Sequence, residues 1–475
     1  MGFNSIAFLV FLPIVLGTYY VLRHRAQNVW LLGASYVFYG FWDPRFLLLL
    51  LLSTAIDYAC GLAIADANDA RRRHAFLFIS VASNLTILAA FKYFNFFIGS
   101  AGRLLSALHI GLPVPVLGVV LPVGISFYTF QEMSYTIDIY RGVFTPRRDF
   151  VTFALSVAYF PHLVAGPIQR ASGLLPQLER PRRVGWTELR ESAALIVLGY
   201  FKKVGVADAV APTVELCFAN PHHFSGSDLL FGLYLFAIQI YCDFSGYSDI
   251  ARGVSKLFGI ELMINFERPY FAASITEFWR RWHISLSTWL RDYLYIPLGG
   301  NRRGRTRTSL NLLTTMLLGG LWHGASWTFV VWGGLHGLYL SVEKALSVGG
   351  RPAKAGGPDT IAARAVKTFV TFQLVALTWV FFRAADFRIA WQYLHGIVTW
   401  QVAPVDAGVH WLGRRFLVLF AALFAIDLLQ ETSGDQTVVL RWHWALRGIA
   451  FATAIVLMLA LGGTDVHVPF IYFQF

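Results

Sequence analysis

Charge is scarce in this chain. Lys, Arg, Asp and Glu make up 14% of its 475 residues, where a soluble globular protein carries about a quarter. That shortage, beside a hydrophobic share of 56%, excludes an ordinary soluble domain and reads as an all-α integral membrane protein with many helices. Cysteine is nearly absent. Cys60, Cys217 and Cys242 are scattered among apolar residues, which excludes a disulfide framework and a cysteine-based metal site. No compact His/Asp/Glu cluster of ligand spacing occurs either, so no metal centre is expected. A Gly-x-Ser-x-Gly elbow is missing, which disfavours an enzyme-borne serine nucleophile and leaves general-base chemistry as the better fit. No internal repeat is visible, which weakens inverted-repeat transporter plans. No basic residue precedes the first apolar run, Ile6 to Leu22, and Arg23-His24-Arg25 follows it. An uncleaved first helix with its N-terminus outside is expected.

The charge that is present leans basic: 39 Lys plus Arg against 27 Asp plus Glu, a net +12. Positive-inside topology accounts for the excess without nucleic acid, and some of it can face anionic lipid headgroups or a phosphorylated cofactor. Apolar spans are predicted at about 5–22, 27–42, 45–64, 76–98, 114–133, 192–212, 229–250, 309–343, 365–382, 411–429 and 447–463, some eleven in one continuous membrane domain over 1–475. The basic loops at 23–25, 70–74 and 141–148 fall on one side, the cytoplasm. Residues 150–168 are apolar but lead to a basic loop, Arg170 to Arg183. A full crossing would put that loop outside. A re-entrant or interfacial segment keeps it inside, with Pro161 to Pro167 expected in an internal cavity wall. Gly349 to Pro358 reads as a cytoplasmic linker.

The stretch 309–343 would be roughly 52 Å long as one helix. A hydrocarbon core of about 30 Å cannot hold it upright, so it must bend, tilt or turn back. Gly319, Gly320 and Gly324 offer the break. His323 lies well inside this stretch, flanked by Trp322 and Trp327. An ionisable side chain at such depth is a functional-site hypothesis by default, although a lone histidine on an apolar helix is more often a packing residue. His336 follows in Gly333-Gly334-Leu335-His336-Gly337.

Ser274 to Gly300 is the densest polar and aromatic segment. Ser274 and Glu277 have capping-box spacing. Phe278, Trp282, Ser285 and Trp289 fall on one face of a helix, and Glu277 can pair with Arg281. Two readings stay open for this helix: an interfacial anchor carrying His283 as an ordinary polar residue, or part of a site. Around it cluster Arg280, Arg281, Arg291, Arg302, Arg303, Arg305 and Arg307. Their planar guanidinium groups suit the phosphates of a donor such as coenzyme A, though positive-inside topology explains them nearly as well. Asp243 and Asp249, if buried, need partners. Salt bridges to the arginines of the 280s are the expected role, a catalytic acid the alternative.

The run Glu277-Phe278-Trp279-Arg280-Arg281-Trp282-His283-Ile284-Ser285-Leu286-Ser287-Thr288-Trp289-Leu290-Arg291-Asp292-Tyr293, followed by Trp322-His323-Gly324, resembles the membrane-bound O-acyltransferase (MBOAT) family. The likeness is strongest to its alginate O-acetylase branch, related to the D-alanyl transfer protein of teichoic acid synthesis. Pro122 to Gln131, Ala165 to Ile168, Asp243 to Asp249 and Phe470 to Phe475 agree with it, so the resemblance runs from end to end. It implies an MBOAT-like ring of tilted helices with re-entrant segments around a central tunnel. It implies His323 as the characteristic histidine and His283 as a second functional one. Arg280, Arg281, Trp282 and Arg291 would line the donor path. The implied donor is cytoplasmic acetyl-CoA, with no permanently bound cofactor. The implied acceptor is an extracytoplasmic polysaccharide such as alginate, reached through periplasmic acetyl-transfer proteins from a multi-pass bacterial inner-membrane enzyme. Two alternatives remain: a transporter or channel for an acyl carrier without bond chemistry, and an O-acyltransferase with a lipid or peptidoglycan acceptor.

Overall fold

The computed structural model describes residues 1–110, 115–118, 120–349, 360–403, 409–462 and 470–471. The described residues contain helices and no strand. Six helical stretches are long and apolar enough to cross a membrane: Arg45–Asp66, Ala70–Ala107, Gly226–Lys256, Ile361–Arg383, Phe416–Ser433 and Trp444–Leu461. The multi-pass, all-helical expectation therefore holds. The linker expected at 349–360 falls almost entirely outside the described residues, as does most of the C-terminal run 470–475. The contacts divide the chain into two compact units, residues 1–192 with 251–263, and residues 193–250 with 264–475.

The first unit is built on α1 (Ile6–Val21), α2 (His24–Gly40), α3 (Arg45–Asp66), α4 (Ala70–Leu88), α5 (Phe94–Ala107), α6 (Ile125–Tyr140), α7 (Phe150–Ala158), α8 (Phe160–Leu163) and α9 (Ala171–Glu179). A π-helical turn, Ala89–Tyr93, joins α4 to α5. Tyr39, Phe46, Leu50, Tyr128, Tyr135, Phe153 and Leu175 form its aromatic-rich core. The segment 150–168 is not a crossing. α7 has 9 residues, roughly 13 Å of helix, well short of a bilayer core of about 30 Å. Asp149 caps it by accepting from Val151 N at 3.1 Å, and residues 152–169 are all buried. Here non-helical backbone is packed inside protein, one of the two settings in which it is tolerated at membrane depth. One predicted span is displaced. Residues 120–124 are not helical, and α6 begins only after Gly124, whose φ is +78°. A Cβ there would approach Leu163 O to 2.7 Å, so the glycine lets the chain turn against α8.

The second unit takes up α10 (Trp186–Tyr200) from residue 193, then a π-helical segment, Phe201–Ala207, and α11 (Asp208–Ala219). There follow α12 (Gly226–Lys256), α13 (Ile275–Arg281), α14 (Ile284–Leu290), α15 (Arg305–His323), α16 (Trp327–Gly349), α17 (Ile361–Arg383), α18 (Phe387–Val398), α19 (Val409–Ser433) and α20 (Trp444–Leu461). The long apolar stretch 309–343 turns back, as its length requires: α15 and α16 form a hairpin with a break at 324–326. The glycines act differently from the expectation. Only Gly324 lies at the break. Gly320 and Gly333 sit where the two helices cross, with Cβ positions 2.2 Å from Phe329 O and 2.1 Å from Met316 O. Small residues there let two backbones touch, as in other membrane helix pairs.

Candidate active site

The segment leading to His283 starts as the sequence predicts. Ser274 Oγ accepts from Glu277 N at 3.1 Å, and the Glu277 carboxylate reaches back to Ala273 N at 2.9 Å. Glu277 also pairs with Arg281 at 2.7 Å. The expected single helix then fails. α13 ends at Arg281, and His283 takes a left-handed conformation, φ +43°, before α14 begins. The cause is Asn265. Its carbonyl accepts from Ile284 N at 2.9 Å, and its Oδ1 accepts from Ser285 N at 3.1 Å and Ser285 Oγ at 2.9 Å. This strap leaves His283 Nδ1 facing the freed amide of Leu286 at 3.4 Å. An amide can only donate, so Nδ1 accepts and the ring proton of neutral His283 resides on Nε2. The interfacial-anchor reading is overturned as well: Phe278 and Trp282 are buried, and His283 is 0% exposed.

α13 and α14, at 7 residues each, are too short to cross a bilayer. Burial lowers the His283 imidazole from its ordinary 6.5 to about 3. The unfolded state therefore binds the proton first as pH falls. This contribution to stability is full above pH 6.5 and is lost on the way down to about 3, at up to about 1.4 kcal/mol per pH unit. The melting temperature of the purified protein should decline through that window. His283→Asn keeps a capping oxygen and tolerates the left-handed backbone, but does not titrate. It should flatten the decline; equal slopes for the two proteins would refute the assignment.

His323 is the last residue of α15, set at the hairpin turn and only 4% exposed. Its ring is boxed by aromatic neighbours. Trp332 stands edge-on at 5.0 Å, Trp322 at 5.1 Å and Phe382 at 5.4 Å, centre to centre. The His283 ring centre lies 6.4 Å away. The two histidines, forty residues apart in sequence, thus share one buried cluster of aromatic rings, with Trp322 packed against both. On the far side of His283, Phe244 meets the ring edge at 4.6 Å. His336 is a different kind of residue. Its Nδ1 accepts from the Trp279 indole at 3.2 Å and its Nε2 bonds Thr378 Oγ1 at 3.0 Å. With both nitrogens engaged and no exposure, it holds α13, α16 and α17 together.

Asp243 and Asp249 are buried and paired, but not with the arginines of the 280s. Lys202 meets Asp249 at 2.8 Å; Lys203 meets Asp243 and Asp208 at 2.6 Å each. The lysines sit on the π-helical segment after α10, a feature common at functional sites. Gly199 and Gly246 bring α10 and α12 together, each Cβ position lying within 2.7 Å of the other's carbonyl oxygen. Asp243 Oδ2 also accepts from Ile471 N at 2.8 Å, and Phe470 packs on Tyr247 at 4.9 Å and Phe244 at 5.7 Å. Phe470 and Ile471 are thereby fastened one side chain away from His283. Arg281 spends its guanidinium on Glu431, at 2.8 and 3.0 Å, with Arg268 on the same carboxylate. Trp282 is buried against Phe278 and Trp379. Of the expected donor-path residues, only Arg280 and Arg291 reach the surface, Arg291 beside Asp292 at 2.6 Å. Arg302 to Arg307 are exposed. Lys202, Lys203, Asn265, Trp332 and Phe382 were not legible as site residues; the one available signal was two lysines inside the apolar span 192–212.

These features define a class: a polytopic helical membrane protein with a buried histidine pair in an aromatic enclosure. A family model described as membrane-bound O-acyltransferase (MBOAT) matches residues 147–358, which include both histidines. The chain is 43% identical to the probable alginate O-acetylase AlgI of Pseudomonas aeruginosa, over 86% of this chain and 77% of that protein. It is 38% identical to the protein of the same name from Pseudomonas putida, over the full length of both. It is 35% identical to the peptidoglycan O-acetyltransferase of Helicobacter pylori, over 83% of this chain and 79% of that one. The chain belongs to the membrane-bound O-acyltransferase family, and it is an O-acyltransferase.

Proposed function

We propose that this protein is an O-acetyltransferase of a bacterial inner membrane. It takes acetyl groups from cytoplasmic acetyl-CoA and passes them, through periplasmic acetyl-transfer proteins, to a polysaccharide such as alginate. The reading rests on one observation above all: His323 and His283 lie 6.4 Å apart in a buried aromatic enclosure. The names of the similar proteins, which act on alginate and peptidoglycan, support the acceptor class.

The two histidines carry different parts of the reaction. His283 has its Nδ1 committed to the Leu286 amide, so it offers a donor at Nε2 and cannot serve as base without losing its cap. Its role is to hold the thioester carbonyl oxygen as negative charge builds there, a contribution worth about 10²–10³ in rate at comparable sites. His323 is the base. It takes the proton of the accepting hydroxyl as that oxygen bonds to the acetyl carbon; the carbon–sulfur bond breaks, and the proton passes to the leaving thiolate. The surrounding indoles and Phe382 keep bulk water from the thioester. The donor's phosphates would meet Arg280 and Arg291, the members of the set that reach the surface.

The test is a reconstituted protein in lipid nanodiscs given acetyl-labelled coenzyme A, periplasmic acetyl-transfer proteins and alginate oligosaccharides. Release of free thiol with label on the sugar is expected, and His283→Asn should lower it by about 10²-fold with an unchanged fold. Passage of intact carrier across a proteoliposome without thiol release would instead favour transport. Label on peptidoglycan or lipid alone would move the acceptor.

A further inference from the structure

Two acidic side chains of the first unit stand outside everything the reaction uses. Asp57 lies in the membrane-spanning α3, and Glu132 lies in α6, which packs against it. Both are 0% exposed. Among the described residues, all their hydrogen-bond partners are neutral. Thr54 Oγ1 donates to Glu132 Oε1 at 2.9 Å, with Ser53 Oγ at 3.3 Å from the same oxygen. Ser80 donates to Asp57 Oδ1, and Asn84 Nδ2 donates to Asp57 Oδ2 at 2.6 Å. Ser80 also bonds Thr136, one turn along α6 from Glu132, at 2.8 Å. The two carboxyl groups thus occupy successive layers of one polar seam between α3, α4 and α6.

Several charged groups on the elements around this seam have partners other than Asp57 and Glu132. On α3, Arg45 pairs with Asp43, and Asp66 pairs with Arg148. On α4, Arg73 donates to Tyr140 O. On the π-turn after α4, Lys92 donates to Ser126 Oγ. Asp138 lies further along α6. Among the described residues no ion pair joins Asp57 or Glu132 to a basic side chain, although buried charges in membrane proteins are almost always paired. A second observation points the same way. Glu132 Oε2 and Asn84 Oδ1, which can only accept, are buried with no hydrogen-bond partner. The Asn84 amide is anchored on Asp57 through its nitrogen, so its oxygen belongs to the same seam.

We propose that Asp57, Glu132 and Asn84 form a binding site for a single small positive charge, a sodium ion or a proton. The ligands are hard oxygens, and carboxylate oxygens already accepting from Thr54, Ser80 and Asn84 cannot complete the six to eight positions that calcium demands. One positive charge, shared by the two carboxyl groups, satisfies both orphan acceptors. All these residues belong to the first unit, whereas the histidine pair belongs to the second.

The experiment uses the full chain in nanodiscs and reads thermal stability, which needs no enzymatic activity and so stands or falls apart from the acetyl-transfer reading. Sodium is exchanged for choline at constant ionic strength across roughly pH 5–9. If sodium binds, the melting temperature rises by roughly 2–4 °C or more at saturation, and the rise disappears in Glu132→Gln and Asp57→Asn. If a proton binds, sodium has no effect, and the infrared band of a buried protonated carboxyl is present in the wild type and lost in one of the two variants. The proposal is overturned if sodium leaves the wild-type melting temperature unchanged and the band is either absent from the wild type or persists in both variants.

Discussion

Replacing His323 by alanine is expected to abolish acetyl transfer from a protein that still folds and inserts. A positioned general base contributes about 10²–10⁴-fold, and the two other histidines of this aromatic cluster are already committed. His283 has its acceptor nitrogen in the cap of α14, and His336 has both nitrogens engaged. The fold should survive because His323 ends α15 rather than sitting within it. Its ring packs among the aromatic side chains of Trp322, Trp332 and Phe382. The check is thiol release from labelled acetyl-CoA beside the melting temperature of the same preparation. His323→Gln, which keeps the bulk and polarity but supplies no base, should be as inactive as His323→Ala. Activity of either variant within tenfold of wild type would remove His323 from the role of base. Loss of folded protein in both would mean that the residue is structural.

The histidine itself was legible from sequence because an ionisable group inside a long apolar stretch is rare and costly. So was the reversal of 309–343, since length alone forbids an upright helix. What escaped the sequence depended on partners far along the chain. The glycines at 319 and 320 resemble a break, yet a glycine marks only the absence of a side chain; what approaches it, here Phe329 O on α16, comes from tertiary packing. The kink at His283 likewise follows from Asn265, eighteen residues earlier, which overrides the local helical pattern of 275–290. The partners of Asp243 and Asp249 were sought among arginines because arginines are abundant nearby. They are lysines that hydropathy had absorbed into a span. The displaced span at 114–133 has the same origin, since average hydropathy does not register the turn at Gly124.

The second large effect belongs to the hairpin that carries His323. Gly333→Ala is expected to lower both stability and activity sharply, whereas Gly334→Ala next to it is expected to be mild. A Cβ on Gly333 would lie 2.1 Å from Met316 O and 3.1 Å from the Gly320 Cα. Both are backbone atoms of α15, so relief requires the helices to separate. Overpacking of this kind costs about 1–3 kcal/mol even where side chains can shift. The movement is also transmitted to the site. Gly320 precedes His323 by less than one turn, and Trp332, which stands edge-on to the His323 ring, is the neighbour of Gly333. A displacement of about 1 Å at a reacting group can cost about 10²-fold in rate. On Gly334 the added carbon meets only Leu317 Cδ2, at 3.3 Å, the tip of a side chain that can rotate away. The pair therefore separates helix contact from a general intolerance of alanine in this segment. Melting temperature and thiol release measured on both variants decide it. If Gly334→Ala proves as damaging as Gly333→Ala, the crossing of α15 and α16 is not what holds His323 in place.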